Sequence, residues 1–135
     1  MQANKLTDEL SVRGQISPGD VLAAKEAGFT TIVCNRPDGE TDGQPTAREI
    51  EDAARDAGLG FHHNPVAPGA VTAEAVSKQG EVLGAAPGKV LAYCGSGQRA
   101  TMLWMLSNPD NLSADERIER AAAAGYDLAV LRPQL

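Results

Sequence analysis

Short apolar runs alternate with longer helical segments along the chain. Residues 30–34 and 90–93 are continuous apolar or β-branched runs, which predict two buried strands. Residues 10–16 alternate apolar and polar positions and indicate an edge strand, while residues 60–66 predict one more strand. The pattern therefore predicts four short strands.

Helical segments separate these strands. Ser17 followed by Pro18 is a good helix start, and Gly28 is a good stop. Ser113 with Glu116 forms the sequence pattern of a capping box. We expect the later helical segments at residues 46–58, 72–82, 102–106 and 113–125, followed by a short final element at residues 126–131.

Strands separated by helices imply parallel pairing with right-handed crossovers. We therefore expect an α/β fold with a mostly parallel sheet of about four to five strands and helices on both faces, in a single domain spanning residues 1–135. In such sheets the ligand crevice lies beyond the carboxyl ends of the strands. A site is expected at that edge, where Cys34, residues 36–40, residues 67–70 and the loop beginning at Cys94 meet.

The composition narrows the range of partners. The chain is 42% hydrophobic, carries a net charge of −6 and has no basic stripe, which argues against nucleic acid. No apolar segment is long enough to span a membrane, and the polar residues after Met1 predict no signal peptide. Two cysteines make no disulfide framework, so we expect a cytoplasmic protein. The expected partner is a small anion, and nothing implies a cofactor.

The run that ends in Cys94 carries the strongest chemical signal. Cys94 follows a predicted strand, Gly95 and Gly97 allow a tight turn, and Arg99 precedes a helical segment. A helix N-terminus and an arginine favour an anionic sulfur, and successive backbone N–H groups can hold an anion. The sequence therefore predicts Cys94 and Arg99 as catalytic residues. The predicted anion-binding loop between them is Gly95, Ser96, Gly97 and Gln98. A buried cysteine in an ordinary turn is the structural alternative.

Four residues separate Cys94 from Arg99. This spacing resembles the loop of rhodanese-class sulfurtransferases, whereas cysteine-dependent phosphatases have one residue more. Nearly the whole chain resembles the bacterial beta-lactamase hydrolase-like family, phosphatase-like domains also described as sulfur transferases. The resemblance implies a dual-specificity-phosphatase fold with a rhodanese-like loop. It rests on Val-Arg-Gly-Gln at 12–15, Asn-Arg-Pro-Asp-Gly-Glu at 35–40, Pro-Val at 65–66 and Tyr-Cys-Gly-Ser-Gly-Gln-Arg at 93–99.

Two positions depart from the patterns that the resemblance implies. Tyr93 stands where a phosphatase often has histidine before the nucleophile. Gly95 stands where the sulfurtransferase loop often has arginine, which removes one positive charge and weakens the expected affinity for thiosulfate.

The general acid of such a phosphatase usually lies on the loop after the third strand, but residues 67–71 contain no ionisable side chain. Sulfane-sulfur transfer needs no acid, because sulfite or a thiolate leaves as a stable anion. We therefore favour a sulfurtransferase that moves sulfur from thiosulfate or a persulfide to a thiol through a Cys94 persulfide. The alternatives are a cysteine-dependent phosphatase acting on phosphotyrosine or a small phosphate ester, and a catalytically silent anion-binding module.

Three charged residues after the second predicted strand, at residues 30–34, are possible accessories. Arg36 either lends charge to the site or forms a structural ion pair. Asp38 or Glu40 could replace the missing acid, although Pro37-Asp38-Gly39 is also a good turn sequence.

Metal binding is not expected. His62 and His63 are adjacent strand residues that point to opposite faces, and no further ligand stands at a suitable spacing. Cys34 is expected to pack in the core, and the alternative is a resolving thiol for a Cys94 persulfide.

Overall fold

A computed structural model describes all 135 residues and contains one five-stranded sheet. The spatial order is β1-β2-β5-β3-β4, in which β1 runs antiparallel to β2 and every other neighbouring pair is parallel. This arrangement confirms the predicted mostly parallel α/β sheet. The strands are β1 Asn4–Lys5, β2 Leu10–Arg13, β3 Phe29–Cys34, β4 Gly60–His63 and β5 Lys89–Tyr93.

Helices cover both faces of this sheet, as predicted. One face carries α1 and α2, which contact each other, and the other carries α3, α4 and α5. The helices are α1 Pro18–Glu26, α2 Ala47–Ala57, α3 Ala73–Ala85, α4 Gln98–Ser107 and α5 Ala114–Ala123, followed by a 3₁₀ helix at Ala129–Gln134.

The two central strands supply side chains to both cores, because successive strand residues point to opposite faces. Val33 and Ala92 pack with Trp104 of α4 on one face. Ile32 and Tyr93 pack with Ile50 of α2 on the other. All six side chains are buried. The central strand β5 is therefore packed on both faces up to Tyr93, the residue before Cys94.

The prediction of an edge strand at residues 10–16 is wrong. The strand ends at Arg13 and is not at the edge, because β1 pairs along its outer side. Only Asn4 and Lys5 form β1, and this polar pair has no hydrophobic pattern that predicts a strand. The outer strand on the other side is β4, which ends at His63 shortly before Pro65.

The capping box forms at a different helix from the one predicted. Ser17 and Asp20 make both reciprocal hydrogen bonds at the start of α1. At α5 the Ser113 hydroxyl accepts from the Glu116 N–H, but the Glu116 carboxylate instead accepts a hydrogen bond from Arg120. An ion pair within the helix therefore replaces the second half of the box.

No helix in the structure combines the length and the apolar character needed to cross a membrane.

Candidate active site

Cys94 leaves the carboxyl end of β5, the middle strand of the sheet, and its side chain is fully buried. Its backbone N–H donates to the carbonyl of Arg13 on β2 at 3.2 Å. Its Sγ accepts a hydrogen bond from the backbone N–H of Gly97 at 3.1 Å. The loop therefore turns back over the sulfur and already directs one backbone donor at it.

Residues 94–99, here called the Cys94 loop, offer further backbone donors. The N–H groups of Gly95, Ser96, Arg99 and Ala100 have no acceptor within the protein, while that of Gln98 contacts the Ser96 hydroxyl at 3.3 Å. Unpaired N–H groups at the start of a helix favour anion binding. The loop is thus chemically suited to hold a small anion beside the sulfur.

Gly14 allows the Cys94 loop to pack directly against the end of β2. A Cβ at position 14 would lie 2.9 Å from the carbonyl oxygen of Gly95. That neighbour is backbone, so it cannot move aside as a flexible side chain would. The Val-Arg-Gly-Gln segment at 12–15 therefore has a steric role at the site.

Arg99 is held by the neighbouring loops rather than left free. Its Nη1 donates to Glu40 Oε2 at 2.8 Å and to the carbonyl of Val66 at 2.7 Å, and its Nη2 donates to Glu40 Oε1 at 2.8 Å. One edge of the guanidinium is thus occupied by a carboxylate. One Nη2 hydrogen and the Nε hydrogen stay available to a ligand.

Glu40 also accepts from the second arginine of the site. Arg36 Nε donates to Glu40 Oε1 at 2.8 Å, and Arg36 Nη1 donates to Gln15 Oε1 at 3.0 Å. The hydrogen bonds and charges of Arg99 and Arg36 outweigh the desolvation of Glu40 and lower its pKa from 4.5 to about 2. Glu40 is therefore ionised at neutral pH and holds no proton for a leaving group.

Asp38 is engaged elsewhere. Its Oδ1 accepts from the backbone N–H of Ala47 at 2.8 Å, at the start of α2. Residues 67–70 are exposed and carry no ionisable side chain. Neither the two acidic candidates nor this loop places a free acid at the Cys94 loop.

A buried amide network fixes the two loops that hold Arg99, and the sequence did not predict it. The Asn35 and Asn64 side chains both donate to Gln79 Oε1 at 2.9 Å, and Gln79 donates back to Asn35 Oδ1 at 3.0 Å. All three side chains are buried. Buried amides need partners, so the network ties the ends of β3 and β4 to α3.

Cys34 lies on the opposite face of the sheet from Cys94. Its Sγ contacts the carbonyl of Arg36 at 3.3 Å, and it packs with Tyr93 in the core beneath α2. Burial raises the pKa of the Cys34 thiol, which keeps it protonated. This placement agrees with the expected core role and not with a resolving thiol.

Tyr93 and His63 form no hydrogen bond with the Cys94 sulfur. The buried Tyr93 hydroxyl has no hydrogen-bond partner, and burial raises the pKa of this phenol so that it stays neutral. His63 Nε2 contacts the carbonyl of Arg36 at 3.3 Å. Nowhere do three His, Cys, Asp or Glu side chains lie close enough together to hold a metal ion.

A cavity of about 560 Å³ lies between α3 and α4 and is lined by residues such as Val71, Val76 and Met102. Its lining includes no residue of the Cys94 loop. The loop itself exposes Gly95, Ser96 and Gln98 at the surface. The outer side of the loop is therefore exposed, while the Cys94 sulfur lies buried beneath it.

In this chain the cysteine loop lies between the central strand of a mostly parallel sheet and a helix, and this arrangement is a phosphatase-like fold. The catalytic core of the PP-IP phosphatase Siw14 from Saccharomyces cerevisiae, solved with citrate, has this fold with a TM-score of 0.70. The two chains share 13% identity over 98% of this chain and 81% of that one, which shows the fold alone.

The chain belongs to the beta-lactamase hydrolase-like protein, phosphatase-like domain family, whose sequence profile matches residues 3–113. A beta-lactamase hydrolase-like protein of Xylella fastidiosa is 31% identical over 130 residues, which cover 95% of this chain and 30% of that protein. This chain thus spans less than a third of that relative's length. A candidate phosphatase from Neisseria meningitidis shares 36% identity, with a TM-score of 0.83 over 96% of this chain and 92% of that one. The family expected from the sequence is confirmed.

Proposed function

We propose that the chain is a cysteine-dependent phosphatase that acts on small phosphate compounds through Cys94. The observation that carries the proposal is the Gly97 N–H donating to Cys94 Sγ at 3.1 Å within a loop of unpaired backbone donors. Such donors stabilise negative charge on the sulfur and on a bound anion. Membership of a phosphatase-like family and the identity to the Neisseria meningitidis protein support the same function.

In the proposed reaction, the Cys94 sulfur attacks phosphorus and a sulfur–phosphorus bond forms. The bond from phosphorus to the leaving oxygen breaks, and its electron pair departs with that oxygen. Backbone N–H groups and the Nε edge of Arg99 bind the remaining phosphate oxygens. Water then attacks phosphorus, the sulfur–phosphorus bond breaks, and the thiolate and inorganic phosphate are released. The protons of the water end on the phosphate and the released leaving group.

The Cys94 loop has no free acid beside it to protonate a leaving group, and this limits the phosphate compounds that we propose as substrates. Glu40 is ionised between two arginines, and Asp38 is bonded to Ala47. A leaving oxygen must then depart without being protonated, which favours leaving groups that are stable anions. Aryl phosphates, acyl phosphates and phosphoanhydrides meet this requirement, whereas simple alkyl phosphates do not.

A series of aryl phosphates with leaving phenols of graded acidity tests this proposal. We expect kcat/KM to fall steeply as the phenol becomes less acidic, and alkyl phosphates to give no turnover above a Cys94→Ser blank. Equal turnover of aryl and alkyl phosphates would show that an acid operates. No Cys94-dependent turnover with any phosphate would overturn the phosphatase assignment.

Sulfur transfer is the second candidate, and the four-residue spacing between Cys94 and Arg99 favours it. The Cys94 sulfur would attack the outer sulfur of thiosulfate, the sulfur–sulfur bond would break, and sulfite would leave with the electron pair. A thiol or cyanide would then remove the outer sulfur from the Cys94 persulfide. This reaction also needs no general acid.

Intact-mass measurement separates the two candidates. After incubation with an aryl phosphate and acid quenching, a phosphoryl adduct that is absent in Cys94→Ser supports the phosphatase. After incubation with thiosulfate, a gain of one sulfur atom that a reductant removes supports sulfur transfer. If neither an adduct nor turnover is seen, both enzymatic proposals fail in favour of a silent anion-binding module.

A further inference from the structure

We propose that Tyr126 is a positioning residue for the Cys94 loop and acts through the peptide bond between Ser96 and Gly97. Tyr126 follows α5, far from the loop in sequence, and its Oη donates to the carbonyl oxygen of Ser96 at 2.8 Å. Asn4 Nδ2 in turn donates to Tyr126 Oη at 3.0 Å. The hydroxyl proton of Tyr126 is thereby directed at Ser96.

The geometry of a trans peptide links this contact to the sulfur. The carbonyl of Ser96 and the N–H of Gly97 belong to one planar unit and point in opposite directions. Tyr126 holds the carbonyl on one side, and on the other side the N–H donates to Cys94 Sγ at 3.1 Å. If this peptide turned over, the Ser96 carbonyl would point at the sulfur and would repel negative charge there.

Gly97 fits under Tyr126 because it lacks a side chain. A Cβ at position 97 would overlap Tyr126 Oη and would lie 3.3 Å from the backbone carbon of Arg13. The φ of Gly97 is +96°, a conformation that other residues rarely adopt. The ring of Tyr126 also packs against the core that contains Trp104. Tyr126 is therefore a fixed support for the loop.

The proposed chain of contacts runs from Asn4 through Tyr126 and the Ser96–Gly97 peptide to Cys94. Hydrogen bonds in such a chain polarise one another and so strengthen the last one. The inference concerns how a donor is held at the Cys94 sulfur, whichever group Cys94 transfers. It rests on Cys94 being the nucleophile of the proposed function. Its test therefore uses readouts that need no substrate.

Tyr126→Phe, made in a Cys34→Ser background, leaves Cys94 as the one cysteine and removes only the hydroxyl of the tyrosine. The rate at which iodoacetamide alkylates Cys94 is measured at pH 7, with the Cys34→Ser, Cys94→Ser protein as blank. We expect this rate to fall by about threefold to tenfold, because the Gly97 donor is no longer held at the sulfur. The Gly97 amide proton should exchange with solvent faster in the same variant.

Asn4→Ala is the second variant and should lower the alkylation rate by a smaller factor. Lys5→Ala is its matched control, because Lys5 lies on the same strand and pairs with Asp8 on the surface. An unchanged alkylation rate and unchanged Gly97 exchange in Tyr126→Phe would overturn the proposal, as would an equal fall in rate in Lys5→Ala. If Cys94→Ser kept full turnover, the proposed function would fail while the Gly97 exchange result still decided this inference.

Discussion

Glu40 and Arg99 form a two-point ion pair that joins the loop after β3 to the start of α4. Both Nη atoms of Arg99 donate to the carboxylate at 2.8 Å, and both side chains are largely buried. A planar guanidinium gripped along one edge keeps its other edge in a fixed direction. Glu40 therefore orients the donors of Arg99 that face the Cys94 loop.

Glu40→Gln tests this orienting role. The amide keeps the size of the side chain but leaves Arg36 and Arg99 without their shared negative charge, so we expect the free energy of unfolding to fall by roughly 2 to 4 kcal/mol. Cys94-dependent turnover should fall by about tenfold or more, since Arg99 is no longer held. Urea unfolding and steady-state kinetics measure the two effects.

Inorganic phosphate provides a sharper readout for the same variant. An anion can take the place of the lost carboxylate, so phosphate should raise the melting temperature of Glu40→Gln more than that of the parent. Glu51→Gln is the control, because Glu51 forms an exposed pair with Arg55 and should change stability by well under about 1 kcal/mol. Equal effects of Glu40→Gln and Glu51→Gln would contradict the role of Glu40.

The pH dependence of stability should carry the signature of Glu40. Its pKa is lowered from 4.5 in the unfolded chain to about 2 in the fold, so its stabilising contribution is fully present above about pH 4.5. That contribution is lost as the pH falls from 4.5 towards 2, where the folded-state carboxylate takes up a proton. The difference in unfolding free energy between the parent and Glu40→Gln should therefore shrink over this interval. A difference that stayed constant down to pH 2 would show that Glu40 is not held by the arginines.

The two cysteines form a matched pair for testing the nucleophile. Cys94→Ser should abolish turnover and every covalent adduct while the fold is kept, because the hydroxyl is nearly isosteric but far less acidic. Cys34→Ser should leave turnover within about twofold, since Cys34 packs on the opposite face of the sheet. Intact mass, kinetics and thermal melting of both variants are the measurements. A comparable loss of turnover in Cys34→Ser would give Cys34 a part in the reaction.

Local patterns predicted much of this molecule. The apolar runs of β3 and β5 and the caps of α1 and α2 are local features, and the glycine-bearing loop between β5 and α4 defined the position of Cys94. The two-residue β1 has no apolar pattern that would predict it. The sequence therefore predicted β2 as an edge strand, whereas β1 pairs with its outer side.

Contacts between distant segments could not be predicted in this way. The pairing of Glu40 with Arg99 joins residues 59 positions apart, and the contact of Tyr126 with Ser96 joins residues 30 apart. Neither the charged residues at 36–40 nor the sequence around Tyr126 indicates these distant partners. The sequence therefore predicted Glu40 as a possible acid, whereas the fold makes it a bound anion between two arginines.

We expect loop length to select between the two proposed reactions, and an insertion changes this length. One glycine inserted between Gly97 and Gln98 keeps the Ser96–Gly97 peptide and its contacts to Tyr126 and Cys94. It widens the ring between Cys94 and Arg99 by one residue and one N–H donor. We expect the ratio of aryl phosphate hydrolysis to thiosulfate-dependent sulfur transfer to rise, because a wider ring encloses a phosphoryl group better than an outer sulfur.

The insertion should act on the ratio of the two activities and not merely lower both. A glycine inserted after Gly58, which lies in an exposed turn between α2 and β4 with no neighbour within 4 Å of an added Cβ, controls for the general effect of lengthening the chain. Both activities are measured in the parent and in the two insertion variants, each with its melting temperature. The gain in hydrolysis should be modest, since Glu40 and Asp38 still provide no free acid. If the ratio is the same in all three proteins, loop length does not select the chemistry, and the spacing between Cys94 and Arg99 ceases to support sulfur transfer.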